Sequence, residues 1–195
     1  PVVLMTPQSS PFRTLADVVN AAKARPGEIP FASTGPGTIP HISMVALAQT
    51  TGININHVPF RGSGDVMLAF QQGTVQLLAD QTPLIRQYGL HPVVTFTEAR
   101  LADFAQTPTM RELGHDIVYS IWSGLYAPAG TPEAVLTRLE AACARTMQTP
   151  TVVEGFARVN QPIRYRDRAA FTAYTNAESE KFRALVERSG IRAAE

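Results

Sequence analysis

A chain of 195 residues, 45% hydrophobic and 17% charged, carries enough apolar material for one large domain or two small ones. Its 17 basic and 16 acidic residues leave a formal charge of +1 with no clustered basic face, which argues against a nucleic-acid or membrane-surface binder. A single cysteine, Cys143, excludes an internal disulfide, the four histidines form no zinc spacing, and no apolar run is long enough to span a bilayer.

The chain opens on PVVLMTP, in which residues 2–5 read as a buried strand; an opening in mid-strand suggests a processed or truncated chain. Thr14 caps LADVVNAAKAR, whose Leu15, Val18, Val19 and Ala22 recur at helical spacing, and Pro26-Gly27 stops it. IPFAS (29–33) is a short strand. The stretch 39–52 is helical, with Gly52 at its end, and ININHVPF (53–60) alternates as a strand. Ser63 caps a helix that turns Val66, Ala69 and Phe70 inward, and TVQLLAD (74–80) is the next strand. Strands and helices joined by short connections imply a mainly parallel sheet covered on both faces.

Beyond Asp80 the pattern weakens. HPVVTFT (91–97) reads as a strand, TPTMRELG (107–114) as a short capped helix and IVYSIWSGLYAP (117–128) as a long β-rich run crossing between lobes. Pro132 suits the first position of a strong helix, since its missing N–H has no partner there. Cys143 in that helix packs rather than reacts. Residues 150–159 add a further helix, and a last one starts near Asp167 with Phe171, Tyr174, Phe182 and Leu185 inward.

In an open α/β sheet, ligands collect where the carboxyl ends of strands run into helix starts. Three loops should share that edge: Ser33–Thr38, His57–Ser63 and Asp80–Thr82. In the first, FASTGPGTIPH, Gly35 and Gly37 free the backbone to approach a ligand, the following helix offers unpaired amides, and Ser33, Thr34 and Thr38 add hydroxyls. That set suits a carboxylate or small oxyanion without metal or other cofactor; a plain αβ turn is the alternative. GPGT is neither a Walker loop nor a complete dinucleotide fingerprint. In the second loop, Arg61 either reaches an anion or lies solvated, and His57, at a strand end, reads as structural. Asp80 accepts a hydrogen bond from a ligand or merely caps the turn DQTP. Ser33, His57 and Asp80 at three strand ends superficially suggest a hydrolase triad, but the strained Gly-x-Ser-x-Gly turn is missing.

ARPGEIPFASTGPGTIPHIS, INHVPFRGSGD, GTVQLLAD, PTMRELG and IWSGLYAPAGTPEAVLTRLEAA together resemble the Bug receptors, the periplasmic solute-binding proteins of tripartite tricarboxylate transporters. The resemblance covers nearly the whole chain and implies a non-enzymatic receptor. Its fold would be an α/β, periplasmic-binding-protein type II-like lobe with a helical carboxyl-terminal segment. Residues 1–123 would be the second lobe of a two-lobe clamp, and residues 124–195 a crossover strand and helices completing a first lobe whose amino-terminal part the chain lacks. The implied ligand is a small carboxylate such as a di- or tricarboxylate, an amino acid or an aromatic acid, held by backbone amides and bridging waters. Ser33, Thr34, Gly35, Gly37 and Thr38 would contact it, with His57, Pro59 and Phe60 as a second wall and Asp80 at the third strand end. The implied partners are the transporter's membrane permease subunits, with no nucleic acid. Apolar surface left by the missing lobe would invite self-association, which makes a ligand-free oligomerising lobe an alternative reading.

Overall fold

The computed structural model describes residues 1–159 and 161–189. It divides into two compact units, one formed by residues 1–121 together with 185–189 among those described, the other by Trp122–Ala184.

The first unit is built on five strands, β1 (Val2–Thr6), β2 (Pro30–Ser33), β3 (Asn56–Pro59), β4 (Leu77–Gln81) and β5 (His91–Thr95), in the spatial order β3-β2-β4-β1-β5. β2 runs parallel to β3 and β4, whereas β1 lies antiparallel to both β4 and β5. Four strands therefore share one direction, and the sheet is mainly parallel as expected. Alternation of strands and helices could not reveal that the first strand is reversed, because direction is set by which neighbours a strand finds. All five residues of β1 are buried, as a strand with partners on both sides and cover on both faces must be.

Helix α1 (Leu15–Ala24) starts with a full capping box: Thr14 Oγ1 accepts from the Asp17 N–H, and the Asp17 carboxylate accepts from the Thr14 N–H. Leu15, Val18 and Ala22 are buried, while Val19 is only half-buried. α2 (Ile39–Thr51) ends at Gly52 in the left-handed conformation, and α3 (Ser63–Gln71) turns Val66, Met67, Ala69 and Phe70 inward. Gly62, not Ser63, occupies the cap position of α3; the Ser63 side chain makes no cap bond. A short helix, α4 (Pro83–Tyr88), stands where the periodic signal faded, too brief to display a repeat.

The two sheet faces have different cover. Ala32, Leu78, Val3 and Met5 form one buried cluster with the inward side chains of α3 and with Ile85 of α4. Phe31, the strand neighbour of Ala32, points the other way and stacks on His41 of α2.

Two expectations for the region after β5 are corrected. Residues 107–114 form turns rather than a helix, although Thr109 and Glu112 exchange the reciprocal bonds of a capping box. Residues 117–128 belong to no strand: the Tyr119 N–H bonds to the Phe96 carbonyl, but no ladder follows. β-propensity without a neighbouring edge to pair with leaves an extended segment only.

The second unit contains α5 (Glu133–Thr146), α6 (Pro150–Arg158) and most of α7 (Arg168–Ser189). α5 begins at Glu133, one residue later than expected, with Pro132 at the N-cap position instead of the first helical one. Trp122 meets Phe171 and Tyr174 edge-on at ring-centroid separations of 5.6 and 5.5 Å, and the Arg168 guanidinium bonds to Glu133. Cys143 is free and half-buried.

Candidate functional site

Strand register places the candidate loops at one edge. Ser33 pairs with Pro59, and Ala32 with both Val58 and Leu78, so the carboxyl ends of β2, β3 and β4 lie side by side. The Phe60 N–H donates to the Ser33 carbonyl at 2.8 Å, tying the start of the second loop to the end of β2. Thr34 follows half-buried at the root of the first loop.

The loop from Thr34 to Thr38 needs its glycines. Gly35 sits at φ +128° and Gly37 at +75°, backbone conformations that side chains with a Cβ strongly resist. Ser33 Oγ accepts from the Gly35 N–H at 3.1 Å, and Thr38 Oγ1 donates to the Gly35 carbonyl at 2.7 Å. The Thr38 hydroxyl is thereby drawn away from capping α2, and because Pro40 has no N–H, the first-turn donors it leaves uncapped are those of Ile39 and His41. The Gly37 N–H donates to His41 Nδ1 at 3.0 Å. Two of the amides expected to be bare, those of Gly35 and Gly37, are thus engaged within the loop and its helix; the open donors of this helix start belong to the first turn of α2.

His57 faces the same side of the sheet as Phe31, its register partner. Its Nε2 lies 2.7 Å from Ser33 Oγ, and its ring stacks on His41 at 3.9 Å between centroids and 13° between planes. Phe31 stacks beneath His57 at 4.9 Å. Burial, reinforced by the neighbouring imidazole, pushes the His57 pKa down to about 4, and burial lowers His41 as well. Both rings are neutral at physiological pH. Because His41 Nδ1 accepts the Gly37 hydrogen, its own proton resides on Nε2. A groove of about 310 Å³ opens against this stack.

His41 and Phe31 are site residues that sequence reasoning missed. A signal was present: Thr38-x-x-His41 has capping-box spacing, with an imidazole where Glu or Gln usually stands.

Asp80 reaches the same edge but the opposite face. Its register partner on β1 is Val3, a member of the α3-side cluster, whereas Ser33 and His57 point to the α2 side. Its carboxylate accepts from the Gln81 N–H at 2.8 Å, and burial raises its pKa. Ser33, His57 and Asp80 therefore do not form a triad, because strand alternation divides them. Pro59, Phe60 and Arg61 line a separate open groove together with Asp65 and Leu68 of α3, and Phe60 also packs on the core cluster. Among the described residues, no group of three His, Cys, Asp or Glu side chains is placed to hold a metal ion.

Residues 1–191 match the sequence family described as "Tripartite tricarboxylate transporter family receptor". The chain is 31% identical over 195 residues to the UPF0065 protein in the gbd 5′ region of Cupriavidus necator, covering 98% of this chain and 60% of that protein. It is 32% identical to protein BugT of Bordetella pertussis, covering 80% of this chain and 50% of that one. Among solved structures, an R. palustris protein with adipate superimposes with a TM-score of 0.86 at 23% identity, over 98% of this chain and 66% of that chain. MatC from Rhodopseudomonas palustris with bound malate gives 0.83 at 24%, over 95% and 66%. The fold is shared with both. The chain spans about half to three fifths of the length of the curated relatives it matches.

Proposed function

The chain belongs to the tripartite tricarboxylate transporter receptor family, and from that membership we propose that it takes part in binding a small organic carboxylate outside the cytoplasm, in the periplasm, for delivery to the transporter's permease subunits. The observation that carries this reading is the glycine-hydroxyl loop, which opens α2 at the sheet edge it shares with Pro59 and Phe60. The positive end of α2 favours an anion. The Ile39 and His41 N–H groups, which Thr38 does not cap, and the hydroxyls of Thr34 and Thr38 are the donors this reading uses, and Gly35 and Gly37 keep side-chain bulk out of the way. Solved proteins of this fold hold adipate and malate, which supports dicarboxylates as the first class to test.

Binding rather than turnover fits the chemistry. Ser33 and His57 are within hydrogen-bond reach, but among the described residues no carboxylate bonds to His57, and an imidazole with a pKa near 4 is a weak general base at neutral pH. Ser33 is instead committed to holding Gly35.

Residues 1–123 are proposed as the second lobe and residues 124–195 as the segment that completes the first, with a preceding lobe covering what is now exposed. Leu125, Tyr126, Val135, Leu139 and Val153 all stand more than 40% exposed, and such a surface calls for either that lobe or self-association. Sedimentation analysis separates the two, since a concentration-independent monomer would exclude self-association.

Calorimetric titration with adipate, malate, an acidic amino acid, an aromatic acid and a neutral sugar tests the ligand class. Heat from at least one carboxylate and none from the sugar is expected. Binding of the sugar alone would overturn the reading.

A further inference from the structure

The contact between His41 and Gly37 joins the body of α2 to the tip of the loop that precedes it, and it is unlike the other bonds there. Ser33 and Thr38 brace Gly35 from within the loop, whereas Gly37 is held by a ring that is itself fixed from outside. His41 is 7% exposed and stacked on His57, and Phe31 lies against His57 from the floor of β2. The stack and the enclosure hold the ring with its Nδ1 lone pair turned to the Gly37 N–H.

We propose that His41, stacked on His57, is the positioning residue of the 34–38 loop: its Nδ1 lone pair anchors the Gly37 N–H, and the loop loses that anchor when the nitrogen takes up a proton. The inference deepens the carboxylate reading and rests on it for its functional consequence.

The chemistry is a matter of donors and acceptors. Neutral imidazole offers one acceptor, and imidazolium offers none. Protonated Nδ1 would place its N–H against the Gly37 N–H, and the two stacked rings would repel each other if both were charged. Among the described residues that line the groove against the pair, none carries a charge of its own. From β2 come Phe31 and Ser33, from β3 the other imidazole, and from α2 and the approach to β3 come Val45, Ala48, Gln49, Ile53, Asn54 and Ile55. Asp80 is turned to the opposite face. Low proton affinity of both rings agrees with this environment.

The test is a nuclear magnetic resonance measurement on the ¹⁵N-labelled protein that needs no ligand. A scalar coupling through the hydrogen bond, between the Gly37 amide nitrogen and His41 Nδ1, is expected at neutral pH. Coupling should vanish, with a shift of the Gly37 amide proton, at the same midpoint as the His41 ring titration. Absence of the coupling at neutral pH, or a Gly37 amide that ignores that titration, would overturn the proposal. Two variants carry the functional half, read by adipate titration at pH 7. His41→Phe keeps a ring but no acceptor and should weaken binding by about tenfold, the value of one hydrogen bond near 1.4 kcal/mol. His41→Asn places an oxygen close to the Nδ1 position and should recover most of that loss. Wild-type affinity in a folded His41→Phe would overturn the positioning role; should that variant not fold, wild type and His41→Asn still decide through the Gly37 resonance. If wild type binds no carboxylate, the carboxylate reading fails, and the coupling measurement still judges the anchor by itself.

Discussion

At the scale of single residues, the site turns on which atoms are already spoken for. Ser33, Thr38 and His41 each bond to a loop backbone group, so the loop is preorganised before a guest arrives, and preorganisation reduces the ordering cost of binding. Stacked imidazoles impose a pH dependence whose sign follows from the lowered pKa values. Below its ordinary value of 6.5, His57 in the unfolded chain takes up a proton, whereas in the folded protein it stays neutral until about 4. Stability is therefore complete above pH 6.5, declines as the pH falls towards 4 and then levels off. After allowance for the ring's partial exposure, the decline amounts to about 1–2 kcal/mol. Urea unfolding at a series of pH values should show it, and His57→Phe should flatten the curve; an unchanged slope in that variant would assign the dependence to other groups. Asp80 acts in the opposite sense, because a raised carboxyl pKa means that stability falls as the pH rises through that group's titration.

Elements differ in how much of their reason for existing is local. α1 is specified by a capping box and an apolar stripe, and Thr14→Ala should cost about 1 kcal/mol by removing a first-turn acceptor. β4 depends on its neighbours: Leu78 is fully buried between the pairing strands and the inward face of α3. Leu78→Ala should cost about 2–5 kcal/mol, since the missing atoms leave a cavity in a packed core. Chemical denaturation of the two variants would check the ranking, and a larger loss from Thr14→Ala would contradict it. Residues 117–128 show the converse, for their β-rich composition found no ladder. Gly124 has a packing reason of its own: a Cβ there would stand 2.1 Å from the Phe171 ring, which would have to move.

For the molecule as a whole, burial is uneven. β1 is buried throughout, yet among the described residues of Trp122–Ala184 none is fully buried. Local opening follows buried apolar contact, so amide hydrogen exchange should be slowest in β1 and β4 and faster by orders of magnitude in α5 and α6. Comparable protection in α5 and β1 would mean that the exposed faces of the second unit are covered in solution, by self-association in the protein alone. Measurement at two concentrations would reveal that cover.

Most of the fold and the edge that carries the candidate site could be read before any coordinates. Periodicity, caps and turn residues are local properties, and they located β2, β3, β4, α1, α2 and α3 and the loop of Ser33, Gly35 and Gly37. Strand direction, sheet face and the employment of each donor depend on residues far apart in the chain. Only the folded arrangement reversed β1, set Asp80 on the side away from His57, and brought His41 onto His57 with its nitrogen turned to Gly37. The physical reason is that a hydrogen bond or a ring stack is decided by distance in space, whereas a helix or a strand begins with what lies within a few residues.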